Sequence, residues 1–515
     1  MSVKDYNSPM QARTPAGGGG IGPTGIQQIQ TIKVLAGIFV LGLSVALNAR
    51  SQSPTDSRTS PSSGIRFSGS WRVRPEAWDW FNTPTADSEY VFFASLLRLS
   101  LAQEKESWDW KVEFAQPLLA NLPESAIAPA PQGQLGLGAN YYAANLSSTP
   151  INLFLKQGSI NVKGIFGDKP SSLRIGRFEF VDGTEKAPKD PTLAALKRDR
   201  IAHRLIGNFA FSHVGRSFDG LHYVRGTART NITLVAGRAT AGVFQVNGWG
   251  ELDSDILYGA LTRSVGENQP GEWRAFALSY HDGRNLLKVD NRTQAIRAAD
   301  HGNIRITSVG GHYLQTIVTS PGKFDTLLWV VGQFGHWGVL DHRAGAIAAE
   351  AGFQPNLKLK PWFRWGYFYS TGDGNPNDGS HQTFFQVLPT PRIYARFPFY
   401  NLMNNQDAFV QLILRPHPKW TIRADARTLR LSSRDDLWYG GGGAFQQTSF
   451  GYAGRPSGGS QSLSNVYDVS VDYQLNAHLT LTGYYAGATG RTVVEKIYPG
   501  GAAGQFGYGE LNWRF

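Results

Sequence analysis

Hydrophobic and polar residues alternate with a period of two along most of the chain. In the last stretch, 505–515, Leu511, Trp513 and Phe515 fall on one face, while charged or amide side chains fall on the other. A stretch that begins at Ile65 has the same alternation. Because this period is typical of β-strands with one apolar and one polar face, the chain from Ile65 onward is expected to be all-β.

The alternation, together with the turn residues between the alternating stretches, predicts about 18 strands. They are predicted near 65–74, 90–101, 108–116, 151–163, 172–180, 216–226, 230–239, 254–263, 272–282, 304–314, 325–334, 345–353, 360–370, 409–416, 419–428, 466–474, 478–486 and 505–515.

The connections between these strands differ in length in a regular way. Every even-numbered connection is short, and nearly every odd-numbered one is long. A transmembrane barrel with both termini in the periplasm has tight turns on one side and long loops on the other. Since hydrocarbon cannot satisfy an open sheet edge, the first strand must pair with the last. The pattern predicts one antiparallel transmembrane β-barrel, in which the glycine runs 440–443 and 454–459 form mobile external loop.

The N-terminus has a different pattern. Val34 to Leu47 form an apolar run after Lys33, followed by small and polar residues that include Ala49 and Ser51. The run is too short for a comfortable membrane helix and is typical of a secretory signal peptide, with an uncleaved anchor as the alternative. The sequence thus predicts a leader and signal peptide (1–53), a linker (54–64) and one barrel domain (65–515).

Composition supports an exported barrel. The chain has 59 Gly, 29 Phe, 20 Tyr and 14 Trp, with a mean hydropathy of -0.28. It has no cysteine, which excludes disulfides and thiolate metal sites. The net charge of +11 favours anionic partners, although nucleic acid is not expected outside the cytoplasm.

Basic residues recur on the face opposite the bulky apolar set, which in a barrel is the lumenal face. Charge that lines a pore of low dielectric constant sets its ion selectivity, and the planar arginine fork suits carboxylate ligands. The alternative for each residue is a structural ion pair with a neighbouring inward carboxylate. The pore-lining candidates from this pattern are Arg72, Arg74, Arg98, Lys111, Arg364, Arg423 and Arg427.

Patterns typical of catalysis or metal binding are weak. The sequence contains no HExxH, P-loop or GxSxG motif,. Ser212 and His213 lie in a long loop with no identifiable partner, and the SxxK spacing of Ser320 and Lys323 encloses a Pro-Gly turn. The segment from Asp373 to Gly379 departs from an EF-hand loop and is better interpreted as a polar turn, with a loop-stabilising cation as the minor alternative. No catalytic residue, cofactor or metal site is predicted.

Four segments resemble the alginate-export family of outer-membrane proteins. They are LRIGRFEFVDG (173–183), GRSFDGLHY (215–223), YFYSTGDGNPNDGSHQTFF (367–385) and the closing ELNWRF. The resemblance implies an eighteen-stranded monomeric barrel in the bacterial outer membrane, which conducts a polyanionic uronate polymer through an electropositive lumen. It also adds Arg177, in the Gly-Arg motif, to the pore-lining candidates. Arg177 shares its parity with Leu173 and Ile175, so either those residues also face the lumen or a β-bulge shifts the alternation within the strand.

These observations lead to one main functional hypothesis and three alternatives. The main hypothesis is a channel that passively exports an alginate-like anionic polysaccharide, with outer-membrane lipid and periplasmic export components as its other partners. The alternatives are an anion-preferring porin for small solutes, a barrel enzyme with a nucleophile and base at its outer rim, and a secreted soluble β-sandwich that binds acidic glycans.

Overall fold

The computed structural model describes residues 64–266 and 269–515. The expected leader and signal peptide (1–53), and the linker up to position 63, lie outside the described residues.

Eighteen antiparallel strands form one closed barrel, so the predicted fold class is confirmed. A two-residue strand, β14 (Ser380–His381), joins the same sheet in parallel with one barrel strand. The barrel strands are β1 (Arg66–Asp79), β2 (Glu89–Glu104), β3 (Trp108–Ala120), β4 (Phe154–Lys163), β5 (Ser171–Phe178), β6 (Phe218–Gly226), β7 (Thr230–Thr240), β8 (Glu251–Val265), β9 (Gly271–Asp282), β10 (Ile304–Thr319), β11 (Gly322–Trp337), β12 (Leu340–Pro355), β13 (Trp362–Ser370), β15 (Asn405–Leu414), β16 (Trp420–Leu431), β19 (Ser462–Gln474), β20 (Leu479–Gly490) and β21 (Ala503–Arg514).

The barrel closes between its first and last strands. β1 pairs antiparallel with β21, with Trp71 opposite Trp513. Beyond this ladder, the Gly69 N–H donates to the Phe515 carbonyl at 2.8 Å, and the Phe515 N–H donates to the Gly69 carbonyl at 3.0 Å. No edge of the barrel sheet is left at this seam, as its place in hydrocarbon requires.

The two faces of the wall differ as the alternation predicts. On β13, Phe363, Trp365 and Tyr367 are each 45–48% exposed on the outer face, whereas the intervening Arg364 is 2% exposed. The outer face contacts lipid, so large apolar side chains are favourable there. The inner face contacts the loops and water, so charged groups are tolerated where they find partners.

Connection lengths alternate as expected, with one exception. The turns after β2, β4, β6, β8, β10, β12, β15 and β19 are short, and most of the others are long. The connection between β11 and β12 is a tight turn at Gly338 and Val339, although a longer loop was predicted. The two strands are longer than predicted because their pairing continues to Trp337 and Leu340.

The long connections, and the short one after β4, contain short elements of their own. They include helices at Leu137–Asn145, Pro191–Leu196, Gln294–Ala298 and Thr492–Ile497, a π-helical turn at Lys197–Ile201, and 3₁₀ turns at Ile165–Gly167 and Pro391–Ile393. Within the described ranges, no helix is both long and apolar enough to cross a membrane.

The glycine runs expected to form mobile loop are partly regular. Gly440 lies in β17 (Leu437–Gly441), and Gly454 lies opposite Tyr439 in β18 (Tyr452–Pro456). Both strands form a hairpin that is anchored by buried side chains such as Trp438. Local composition could not show these distant packing partners.

The hydrophobic core lies inside the barrel. Inward side chains of the wall, among them Tyr258, Leu278 and Trp329, belong to one buried cluster with the loop residues Leu196 and Leu388. The loops therefore fold into the lumen and pack against its wall. This packing positions the constriction described next.

Candidate functional site

The connection 179–217, between β5 and β6, crosses the lumen. At one side, Arg72 and Arg74 on β1 donate to the carbonyl oxygens of Ser212 and Phe211, each at 2.5 Å. At the other side, Arg200 forms an ion pair with Glu350 on β12 at 2.8 Å. Because β1 and β12 lie far apart around the wall, this loop bridges the interior.

The connection 371–404, between β13 and β15, meets the first loop inside the barrel. The Gly207 N–H donates to the Leu388 carbonyl at 2.8 Å, and the Leu388 N–H donates to the Leu205 carbonyl at 2.9 Å. The Thr390 hydroxyl accepts from the Phe209 N–H at 3.0 Å. These bonds make one constriction from the two loops.

Charged groups also fix the first loop to the wall. Lys197 pairs with Glu272 on β9 at 2.6 Å, and Glu185 pairs with Arg274 on the same strand at 3.0 Å. Burial opposes ionisation of Glu185, but the neighbouring Arg274 guanidinium outweighs it and lowers the pKa of Glu185 to about 2. The Glu185 carboxylate is therefore charged at neutral pH.

A cavity of about 170 Å³ lies between the constriction and the wall. Arginine from loops and strands dominates its charged lining, with two aspartates among the remaining residues. The lining consists of Asp199, Arg200, Phe211, Arg392, Ile393, Arg396, Gln411, Ile413, Arg423, Asp425, Arg427 and Tyr508.

Arg392 differs from the other arginines of this cavity. It is 6% exposed, and its Nε and Nη1 atoms are buried without a hydrogen-bond partner. Its guanidinium carbon lies 4.3 Å from the ring centre of Phe211 and 4.6 Å from that of Tyr484. No carboxylate within 64–266 or 269–515 forms an ion pair with it, but Glu76 and Asp468 lie near enough to interact with its charge. Arg392 is thus a buried cation, stabilised by aromatic rings, with unused donors.

The other cavity arginines have acidic partners. Arg396 contacts Asp468 at 3.5 Å, and Arg427 contacts Asp407 at 2.6 Å. Arg423 pairs with Asp472. These carboxylates largely balance the charge of the three arginines and offset part of the cost of burying them.

Seven of the eight residues expected to line a pore face the lumen, and all of them are in ion pairs. Arg72 and Arg74 contact Glu510, at 3.9 and 3.1 Å. Lys111 contacts Glu113 at 2.9 Å, and Arg98 pairs with the same carboxylate. Arg98 also pairs with Glu179 at 2.6 Å. Arg364 pairs with Glu350 at 3.0 Å and with Asp325 at 3.5 Å. Arg423 pairs with Asp472, and Arg427 pairs with Asp407 and with Asp425 at 3.3 Å. Contact of these residues with a substrate stays a prediction.

Arg177 lies elsewhere. It has the parity of Ile175, which is 49% exposed on the outer face, and it pairs with Asp219 on β6 at 2.5 Å. Its remaining donors bond to the carbonyl oxygens of Leu155, Gly248 and Trp249. The structure therefore places Arg177 away from the lumen and in a structural network, as its shared parity with Ile175 indicates.

Sequence reasoning did not find Arg200, Arg392 or Arg396, because all three lie in long loops outside the alternating pattern. One local signal was present: the segment Pro391 to Tyr400 interleaves two arginines with four aromatic residues. Only the folded loops show that these arginines share a cavity with β15 and β16.

The neighbouring Ser212 and His213 have different hydrogen-bond partners. The Ser212 hydroxyl donates to the Phe209 carbonyl, while the His213 Nδ1 lies 3.3 Å from Arg74. Burial lowers the pKa of His213 well below its ordinary value.

The segment from Asp373 to Gly379 bonds mainly to itself. The Asn375 N–H donates to Asp373 at 3.0 Å, and the Ser380 N–H donates to Asp378 at 2.9 Å. Among the residues that the structure describes, no group of three or more His, Asp or Glu is placed to hold a metal ion.

The comparisons with known proteins identify the family. The model of the alginate export family matches residues 151–487, well over half of the chain. The chain belongs to the alginate export family. This confirms the resemblance found in the sequence motifs. No curated protein matches the chain.

Solved outer-membrane porins share the fold of this family member. Pseudomonas aeruginosa OccK9 (OpdG) superposes with a TM-score of 0.53 at 10% identity, over 88% of this chain and 98% of that chain. P. aeruginosa OccK2 (OpdF) in complex with glucuronate, and Acinetobacter baumannii OccAB4, each give a TM-score of 0.51 at 8% identity over the same shares. At these identities the likeness shows the fold. The family and the fold place this alginate export family member in the bacterial outer membrane as a transport channel or porin.

Proposed function

We propose that this barrel is a passive channel that exports an alginate-like polyuronate through its lumen. The observation that supports the proposal most directly is Arg392, a buried cation with unused donors at the wall of a lumenal cavity. A carboxylate is the ligand that an arginine fork binds best, through two parallel hydrogen bonds.

The aromatic side chains beside Arg392 suit a sugar acid. Phe211 and Tyr508 line the same cavity, and such rings bury apolar surface beside a polar contact. A uronate has one carboxylate and an apolar ring face. It can therefore use the charge and the rings of the cavity together.

The paired lumenal arginines have a second role in this proposal. Each one holds a carboxylate of the protein, so a passing uronate competes with an internal partner. Arg396 and Arg423 are the more accessible of the paired arginines that line the cavity, with side chains 26% and 17% exposed. Conduction requires sites that are favourable enough to enter and weak enough to leave, and competition with Asp468 and Asp472 keeps them weak.

The second candidate is an anion-preferring porin for small solutes. The cavity, at about 170 Å³, is the observation that favours it, because this volume suits one sugar unit and the loops close around it. The structural neighbour OccK2 was solved in complex with glucuronate, a monomeric sugar acid. Both candidates use Arg392, and they differ in whether a polymer can thread the constriction.

Single-channel recording in planar bilayers tests both candidates. The probes are glucuronate, polyuronate chains of graded length, and neutral oligosaccharides of the same lengths. Arg392→Gln should weaken block by uronates about tenfold or more, since a hydrogen bond to a charged group contributes about 1.5–3 kcal/mol. Arg392→Lys should keep anion selectivity while weakening block, because it retains the charge and loses the fork. Arg434→Gln, which removes an exposed loop arginine, is the matched control.

The outcomes separate the candidates. Block that strengthens with polyuronate length supports the polymer channel, whereas equal block by monomer and polymer supports the small-solute porin. Equal block by neutral sugars, or an unchanged Arg392→Gln variant, would contradict both.

A further inference from the structure

A row of charged and histidine residues crosses the outer face of the barrel wall. In the strand register, Asp255 lies opposite His281, His281 opposite Arg305, Arg305 opposite His336, and His336 opposite Asp341. These positions lie toward the long-loop ends of β8 to β12. The row is therefore near the extracellular edge of the wall.

The row faces lipid and not the lumen. Arg305 shares its parity with Val309, which is 50% exposed, and His336 shares its parity with Phe334, which is 53% exposed. The residues between them, such as Ile306 and Trp337, are buried toward the interior. The charged side chains of the row therefore project toward the membrane surroundings.

Two arginines in this region have no acidic partner. Arg343 lies opposite Phe334, two positions along β12 from Asp341, and both Arg305 and Arg343 are exposed. Asp341 is 3.5 Å from His336. No ion pair of Arg305 or Arg343 forms within the part of the chain that the structure describes. From the spacing of strands and residues, their Cα atoms are about 12 Å apart.

A shallow, open apolar groove of about 620 Å³ begins directly beside Arg343. Val309, Gly332, Phe334 and Gly345 line it on the outer face. A side chain added at Gly332 would meet no atom within 4 Å, so this glycine leaves open space on the outer face of the wall. The groove leads from Arg343, past Val309 on the strand that carries Arg305, toward the apolar band.

We propose that Arg305, Arg343 and this groove bind a phosphorylated glycolipid of the lipid A type. Arginine holds phosphate through bidentate, charge-assisted hydrogen bonds, and basic residues at a membrane surface recognise anionic head groups. Two phosphates of one head group contact the two arginines, and an acyl chain occupies the groove. Because the row is near the extracellular edge of the wall, it contacts the outer leaflet of the membrane. The phosphorylated lipid of that leaflet is of the lipid A type.

Native mass spectrometry of the full barrel, released from nanodiscs, tests this proposal. The nanodiscs contain either diphosphoryl lipid A or phosphatidylglycerol in a neutral phospholipid background. Arg305→Gln combined with Arg343→Gln should reduce retained lipid A about tenfold or more, since each basic residue at a membrane surface adds to the attraction of anionic lipid. Arg263→Gln, which alters an exposed arginine at the periplasmic end of β8, should leave retention unchanged.

A second variant tests the groove without changing charge. Gly332→Leu fills open space and should lower lipid A retention while the folded barrel still migrates as a heat-modifiable band. Retention that is equal in the wild type and the double arginine variant would overturn the proposal. Retention of phosphatidylglycerol as strong as that of lipid A would overturn it too, as would an unaffected Gly332→Leu variant.

Discussion

The guanidinium of Arg216 donates to the carbonyl oxygen of Leu388 at 3.0 Å, which ties the two constriction loops together. The same group donates to the carbonyls of Gly207, Gly442 and Ala444. All four acceptors are neutral backbone groups from three separate loops. Burial lowers the pKa of Arg216 to about 10, so the side chain remains charged at neutral pH and joins the three loops.

Arg216→Gln should loosen the constriction and leave the barrel closed. Glutamine has too few donors to satisfy four carbonyls, and each lost bond to the charged group costs about 1.5–3 kcal/mol. We expect a larger, noisier single-channel conductance and faster hydrogen exchange at Leu205 and Leu388. The exposed Arg434→Gln is the control, and a variant with wild-type conductance and exchange would show that Arg216 does not hold the loops.

Asp182 should stabilise the first constriction loop more at pH 4.5 than at pH 7. Burial raises the pKa of Asp182 to about 6, so the folded state favours the protonated carboxyl. That stabilisation is complete below the ordinary pKa near 4 and is lost as the pH rises through 6, a change of about 2–3 kcal/mol. Hydrogen exchange at Ile206, whose N–H donates to Asp182 at 3.0 Å, measures it.

Asp182→Asn should remove this contribution. Glu185 has the opposite sign, because its pKa is lowered to about 2 and its contribution is lost only as the pH falls from its ordinary value toward 2. Burial also lowers the pKa of His203 and His213 in the same loop, so their contribution is lost as the pH falls below about 6.5. The contribution of Asp182 is therefore the difference between the wild type and the Asn variant, and an equal pH dependence in both would contradict it.

Val330→Arg should destabilise the barrel far more than Thr326→Arg. Both residues are exposed on the outer face of β11, with Val330 near the strand midpoint and Thr326 nearer the periplasmic turn. An arginine in lipid costs about 2–4 kcal/mol at the midplane and about 0–1 kcal/mol near an interface. Denaturant unfolding in lipid vesicles measures the difference, and equal costs would show that the apolar band is misplaced along β11.

Deletion of Phe515 should impair barrel assembly. The residue makes two backbone hydrogen bonds to Gly69, and its ring lies 6.1 Å from that of Phe67. Without it, the end of β1 has unpaired backbone groups in the membrane, which is costly. The heat-modifiable fraction of the outer membrane reports assembly. Phe166→Ala, in an exposed periplasmic turn, should assemble normally, and an equal defect in both variants would contradict the role of the seam.

The strands of the barrel wall could be predicted from sequence because lipid on the outer face and a polar interior on the other impose a period of two on every strand. Trp365 must contact lipid and Arg364 must avoid it, so adjacent positions in the sequence already distinguish the faces. The constriction could not be predicted in this way. Arg200 lies in a loop of irregular backbone and pairs with Glu350 on a distant strand, so no local sequence pattern predicts this contact. The motif match suggested that Arg177 faces the lumen, whereas its position in the alternation, shared with Ile175, corresponds to the outer face. A motif match alone therefore did not place this residue correctly.

The seam between β1 and β21 also determines when the interior can be completed. Arg74 supports the constriction through the Phe211 carbonyl and is itself held by Glu510, which is 436 positions away in the chain. Contacts at such separation form late, because a long segment must be ordered before they contribute. A chain arrested before its last strand would therefore leave the edge of β1 unpaired in lipid and would lack one support of its constriction. Closure of the barrel and completion of the constriction thus depend on the same final step of assembly.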